Sequence, residues 1–302
     1  MIWTLLNILL ALALAPLLPG IINRVKAWFA GRQGKPLLQS YYDLHKLIGK
    51  GVIISTTTSL IFTLGPLVCV LAVFCALLLL PMAGQSALIC FSGDFFVLAY
   101  LLALGRAALI FAAWDTGSAF ENMGASREAY FSALSEPVFL LILLALARHS
   151  GYFSLGDMLT TSGLAAFMSQ GPLALLEAAA LFLLLLVENS RIPVDDPNTH
   201  LELTMIHEVM ILDHSGPDLA LLEYASTLKL WLFSVLSAGV LLPMRDGNPL
   251  LGLGETLLAV FLIAAAVGVV ESMMARLRMM RTPQLISLAG AMAALALIIT
   301  LR

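Results

Sequence analysis

The sequence predicts an all-α polytopic membrane protein of about eight transmembrane helices with amphipathic cytoplasmic loops. Composition is the first observation behind this. Of the 302 residues, 60% are hydrophobic and 12% charged, and mean hydropathy is +0.97. Soluble domains carry about 25% charged residues. Spacing is the second: the apolar residues fall in blocks of roughly 20, the length that crosses a hydrocarbon core as a helix. Third, no interval between blocks is long enough for a soluble domain, so 1–302 reads as a single integral membrane domain.

The first span, 1–23, has no charge before Arg24. A cleavable signal opens with basic residues, so this segment is expected to remain in the membrane. Loop one follows, with Gly-Arg-Gln-Gly-Lys-Pro at 31–36. Leu37, Tyr41, Leu44 and Ile48 then recur at helical spacing and predict an amphipathic helix on the membrane surface. Its basic residues suit anionic lipid. Asp43 and the helix-breaking Gly31, Gly34 and Pro36 suit a soluble protein partner. Arg24, Lys26, Arg32, Gln39, Asp43 and Lys46 are the docking candidates.

Span two, 57–81, has Cys69, Cys75 and Cys90 in or beside it, with no CxxC pair, so neither a zinc nor an iron–sulfur site is expected. Span three, 94–112, is interrupted by Asp94 and Arg106. Loop three, 114–135, is rich in small and polar residues. It enters span four, 131–149, at Ser135-Glu136-Pro137. Span five, 172–190, contains Glu177 and ends in Glu188. Eleven residues rotate a helix by about 1100°, leaving these two carboxylates within roughly 20° of each other on one face.

Loop five begins as a stiff, acidic connection through Arg191, Pro193, Asp195, Asp196 and Glu202. It also holds His200, His207 and His214 near Glu202, Glu208 and Asp213. A seven-residue helical step separates side chains by about 10 Å, whereas shared ligands usually sit three or four apart. No metal is therefore expected. Span six, 219–243, opens with Glu223 and Lys229. Span seven, 252–275, nearly ends at Glu271, and span eight is 283–301. No phosphate-cradling glycine loop, nucleophile motif or nucleic-acid patch is present, and the chain shows no self-sufficient active site.

Loops one, three, five and seven carry eleven basic residues, namely Arg24, Lys26, Arg32, Lys35, Lys46, Lys50, Arg127, Arg191, Arg276, Arg278 and Arg281. The other side has three, Arg148, Arg245 and Arg302. Positive residues resist translocation, which places the odd loops in the cytoplasm and both termini outside. Arg106, Glu136, Glu188, Glu223, Lys229 and Glu271 then fall in the cytoplasmic half of the bilayer, and Glu177 in the outer half. Charges inside a membrane mark functional pathways or glue helices together. Five carboxylates against two bases cannot all be paired, so some are expected to carry protons.

A Glu-x-x-Arg-x-Pro-x-Asp segment after the fifth of eight spans resembles the membrane subunit at the heel of respiratory complex I, the NADH-quinone oxidoreductase subunit 1 or H family. It also resembles that subunit's counterpart in membrane-bound nickel–iron hydrogenases of the formate hydrogenlyase and hydrogenase-4 component C type. Arg32, Gly34, Gln39, Asp43 and Lys46-Leu47 fit the first-loop pattern. Gly124-Ala125-Ser126-Arg127-Glu128 and Glu136 fit the third-loop pattern. Glu188, Arg191, Pro193, Asp195, Glu202 and Glu223-Tyr224 fit the fifth loop and the span after it. Asn198 and His200 stand where quinone-linked members carry glutamates, and loop one lacks an Asn-Arg-x-Gly-Pro insertion. These departures favour the hydrogenase branch.

The resemblance implies a membrane subunit that anchors a soluble electron-transfer arm and couples its chemistry to proton or sodium translocation. Soluble hydrogenase or dehydrogenase subunits, with the iron–sulfur clusters and the nickel–iron centre, and antiporter-like membrane subunits would be its partners. This chain would bind no cofactor, with quinone an open question, and no nucleic acid. It would reside in a prokaryotic plasma membrane. Glu136, Glu177, Glu188, Asp195, Glu202, Glu223 and Glu271 become proton-pathway candidates, with Arg106, Arg127, Arg191 and Lys229 tuning them. A quinone-site subunit and a stand-alone ion-coupled transporter are the alternatives. The topology is tested by cysteine labels, with Gln33→Cys expected to react from the cytoplasmic side and Gln85→Cys from outside. Labelling of both from one side contradicts the map.

Overall fold

The computed structural model describes residues 2–161, 164–196, 205–241 and 249–301, with side chains left aside at 160–170. Its elements are α1 (Ile2–Leu14), α2 (Leu17–Phe29), α3 (Gln39–Ile48), α4 (Leu60–Leu78), α5 (Asp94–Asp115), α6 (Ala119–Ser150), α7 (Leu155–Thr161), α8 (Leu164–Glu188), α9 (His207–Met210), α10 (Gly216–Leu241), α11 (Pro249–Met273) and α12 (Thr282–Thr300). Among the described residues, seven segments are long and apolar enough to cross a membrane. The pair α1 and α2, bent by 49°, makes an eighth. Each matches one expected span, and the chain is a multi-pass membrane protein.

The first span is broken because of Pro16. Proline lacks an N–H and clashes with the carbonyl four residues earlier, here that of Leu12. A backbone carbonyl without a partner in hydrocarbon costs several kcal/mol. Two tyrosines supply what the break removes. The Tyr224 hydroxyl of α10 donates to Leu12 O at 2.9 Å, and that of Tyr41 on α3 donates to Ala13 O at 2.5 Å. The amphipathic helix forms as expected, and it packs on α2 and α10. Gly20 permits the close approach of the chain leading to it, since a Cβ there would lie 2.1 Å from Leu37 O.

α10 runs through the centre, against α1, α2, α3, α4, α7, α8 and α11. Leu228, Leu230, Trp231, Leu232 and Phe233 are all fully buried, as expected where neighbouring helices surround a segment. α4 and α5 form a tight antiparallel hairpin through small residues. Gly65 faces Ala112, Gly105 faces Ala72, and a Cβ on Gly65 would sit 2.8 Å from that of Ala112. Asp115 at the end of α5 caps α4, accepting the N–H groups of Ser59 at 2.6 Å and Phe62 at 3.3 Å. A carboxylate there also complements the helix dipole.

Loop three corrects the sequence reading. Residues from Ala119 onward are already helical, and α6 runs for 32 residues, about 48 Å at 1.5 Å per residue. Gly124-Ala125-Ser126 looks like loop by composition. Its small size instead lets α9 approach, since a Cβ on Gly124 would lie 2.3 Å from Val209 Cγ1.

The connections sort onto two faces. Ile53 of loop one donates its N–H to Ser215 of loop five at 3.0 Å, and Leu277 of loop seven donates to Pro193 of loop five at 2.8 Å. Loop three meets loop five through α6 and α9. On the other face, Asn7 near the start of α1 donates to Met82 after α4, and Gly93 donates to Phe153. The odd-numbered loops therefore share one surface, hereafter the odd-loop face.

Tyr224→Phe and Tyr41→Phe each leave a carbonyl of the broken span unpaired. A buried unsatisfied acceptor costs about 1–3 kcal/mol. Thermal unfolding in detergent should show the larger loss for Tyr224→Phe, because Tyr41 has access to water. Unchanged midpoints in both variants would contradict the clamp.

Candidate functional site

The site is built around Glu188, the last residue of α8. The helix stops there in a six-to-one and five-to-two hydrogen-bonding pattern, in which Arg191 N–H donates to Leu186 O at 2.9 Å and Ser190 N–H to Val187 O at 3.2 Å. Ser190 takes the left-handed position, at φ +48°. The turn leaves the Glu188 carboxylate pointing into the protein, 8% exposed. Oε2 receives Arg106 Nη2 of α5 at 3.1 Å and Lys229 Nζ of α10 at 2.9 Å, while Oε1 accepts from the Ser135 hydroxyl of α6 at 2.7 Å. Arg106 also faces Glu136 Oε1 at 3.7 Å and Glu128 Oε1 at 4.0 Å. Four helices thus meet at one charged knot of two cations and three carboxylates. If all are ionised it carries one excess negative charge, which uptake of a proton would neutralise.

Two cavities connect this knot to the odd-loop face. One, about 50 Å³, touches Arg106, Glu128, Glu188, His207 and Lys229. The other, about 180 Å³, lies between α2, α3, α9 and α10 and is faced by Asp43, Arg191, Asp195, Glu208 and Glu223. They share Asn189, Ser190, His207, Leu222 and Ser226. A water needs about 10–15 Å³ of such space and two to four polar partners, so both cavities have room for water.

Two further carboxylates brace the wall. Asp195 accepts from Arg276 Nη2 at 2.8 Å and from the N–H groups of Asp196, Ile206 and His207 at 3.0, 2.9 and 3.2 Å. Glu271 of α11 pairs with Lys26 at 2.7 Å and lies 3.7 Å from Arg191. On α9, burial together with Glu223 and Asp195 pushes the Glu208 carboxyl up to about 7. Burial, aided by Lys229, pushes His207 down to about 4. His214, stacked on Phe62 with ring centroids 4.0 Å apart, is likewise held at about 4 by burial.

The structure brings Arg106, Glu136, Glu188 and Lys229 together and places Glu223 on the adjoining cavity. Glu202, with His200 and Arg245, lies outside the described residues. Glu177 is apart from Glu188 despite their shared face. It pairs with His149 Nδ1 at 3.1 Å, about three turns before Glu188 on α8. The expectation that carboxylates outnumber their bases counted only bases within the spans. Lys26, Arg191 and Arg276 reach in from helix ends and loops to pair with Glu271 and Asp195. Arg127 donates to Met205 O at 2.8 Å, bracing the segment before α9. Of the docking candidates, Lys26 is engaged with Glu271, Gln39 donates to Asp43 at 2.8 Å, and Arg24, Arg32 and Lys46 stand exposed. Among the described residues, no three His, Cys, Asp or Glu side chains converge as metal ligands.

Sequence reasoning did not assign Glu128, Ser135, Glu208 or Arg276 to the site. Glu128, Ser132, Ser135 and Glu136 stand at i, i+4, i+7 and i+8, a helical face that was there to be read once loop three is helix.

Comparison with known proteins identifies the family of the chain. The chain belongs to the NADH dehydrogenase family, whose profile matches residues 2–301. It is 31% identical over 301 residues to hydrogenase-4 component C of Escherichia coli (strain K12), covering 98% of this chain and 94% of that protein. Formate hydrogenlyase subunit 4 of the same organism is 29% identical over 290 residues, covering 94% and 93%. An NADH-quinone oxidoreductase subunit of Polaromonas naphthalenivorans (strain CJ2) is 28% identical over 209 residues, covering 66% and 57%. A chain of the membrane-bound sulfane sulfur reductase, an archaeal respiratory membrane complex, shares the fold at TM-score 0.81 and 22% identity, over 99% and 98% of the two chains. The resemblance read from the spans and loop motifs is borne out.

Glu208 sets a pH dependence. Its folded pKa lies above the unfolded value of about 4.3, so the stability it contributes is full below that value and lost as pH rises through about 7. Glu208→Gln should remove this loss. The stability of the wild type relative to the variant should fall by at most about 1.4 kcal/mol per pH unit across that window and level off above it. Thermal midpoints of the two proteins in detergent, run in parallel from pH 5 to 8.5, check this. A pH-independent difference overturns it.

Proposed function

We propose that this chain is the coupling subunit of a hydrogenase-type redox complex in a prokaryotic plasma membrane, its odd-loop face in the cytoplasm. The observation that carries the reading is the buried Glu188, shared between Arg106 and Lys229 and joined by cavities to the odd-loop face. In this reading soluble subunits holding the iron–sulfur clusters and the nickel–iron centre dock on loop one and α3, with exposed Arg24 and Lys46 as contacts. Electron transfer there changes the charge near Glu208, Glu223 and Asp43. The excess charge at the knot then takes up or releases a proton through Glu188 and Glu136, and antiporter-like membrane partners receive the change.

A quinone-reducing role receives less support. The larger cavity, about 180 Å³, is smaller than the roughly 300–1,000 Å³ of ordinary ligand pockets, and its wall is strongly charged. Water and protons suit it better than a quinone ring.

Glu188→Gln keeps the shape and removes the charge. Reconstituted complex carrying it should assemble fully yet lose at least tenfold in redox-driven proton translocation, and Glu136→Gln should act in the same direction. Glu188→Ala should also reduce assembly, because truncating one partner of a buried ion network costs about 3–5 kcal/mol. Full pumping in both Gln variants would make these residues structural. For docking, Arg24→Glu with Lys46→Glu should release the soluble subunits while the chain still inserts. Co-purification of a full complement would contradict that contact.

A further inference from the structure

The end of α2 forms a cationic groove that the charged knot does not use. Arg32 N–H donates to Ala27 O at 2.9 Å and Gly31 N–H to Trp28 O at 3.1 Å, with Gly31 at φ +62°, a conformation glycine adopts without strain. This turn sends residues 32–35 back along α2. Gly34 lies so close to the helix that a Cβ there would come within 2.6 Å of Ala27 Cβ. Between this return, α2 and Ser272 of α11 is a groove of about 550 Å³. Lys26, Arg32 and Lys35 line it. Lys26 is paired with Glu271, and among the described residues no carboxylate pairs with Arg32 or Lys35. Phe29 lines the same groove. Trp28, 78% exposed, meets it edge-on at 5.3 Å.

We propose that this groove binds the phosphate headgroup of an anionic phospholipid, with Arg32 and Lys35 on the phosphate and Trp28 and Phe29 beside the acyl chains. The groove lies at the end of a membrane span, where aromatic rings settle at headgroup level and basic pockets take anionic headgroups. Arginine matches two phosphate oxygens at once. An acidic protein would satisfy the two cations and leave the uncovered rings of Trp28 and Phe29 without a partner. A free phosphate would do the same. A diacyl lipid satisfies both halves.

The test uses the complex purified in mild detergent, depleted of lipid and exposed to vesicles of dioleoylphosphatidylglycerol or dioleoylphosphatidylcholine, with bound lipid counted by native mass spectrometry. The phosphatidylglycerol should be retained at least tenfold over the phosphatidylcholine. Arg32→Gln with Lys35→Gln should abolish that preference, while Lys50→Gln, exposed and outside the groove, keeps it. Trp28→Ala leaves the cations and should weaken retention several-fold, which tests the site even if the double variant fails to insert. Equal retention of the two lipids overturns the proposal, as does unchanged preference in the double variant or unchanged retention in Trp28→Ala. Displacement by millimolar inorganic phosphate overturns the lipid as the source of the phosphate.

Discussion

A carboxylate buried between two cations constrains the rest of this structure. Taking an ion out of water costs several kcal/mol even after relaxation, and only close partners recover it. Glu188 therefore needs Arg106, Lys229 and Ser135 within hydrogen-bond reach, which brings α5, α10, α6 and the end of α8 to one depth. Two of the interruptions that weaken spans three and six as apolar blocks are thereby explained. Arg106 and Lys229 are there to meet Glu188. Ending α8 at that residue, with Ser190 in the left-handed turn, frees the chain to wrap around the cavity that leads outward.

The knot is tied mechanically to the odd-loop face. α10 carries Lys229 at its middle and, within two turns, Glu223 on the larger cavity and Tyr224 on the broken first span. α3 closes the same cavity with Asp43 and Leu44 and holds the break through Tyr41. α3 thus touches both the broken first span and α10.

The stretch of α8 that precedes Glu188 is built differently. Between Glu177 and Glu188 the helix buries Leu181, Leu184 and Leu185, each at 1% exposure or less. The His149–Glu177 pair is thus separated from the knot along this helix by dry packing. Within α8, the two carboxylates are therefore separated by an apolar stretch of about three turns.

Several features of this protein were determined by the sequence alone. Blocks of about 20 apolar residues separated by charge can only be helices in a bilayer, because every backbone group there must be satisfied within its own segment. The eight spans, the amphipathic α3 and the ionisable residues inside the spans all follow from that rule. Partners across the fold do not, because pairing depends on which helices touch. Only the tertiary structure decided that Glu188 binds Arg106 and Lys229, and that Lys26, Arg191 and Arg276 reach inward from helix ends and loops. It also turned Gly124-Ala125-Ser126 from apparent loop into the narrow side of α6, since small residues have the same composition whether they break a helix or make room for α9. Distance along the chain carries no information about such contacts; packing supplies it.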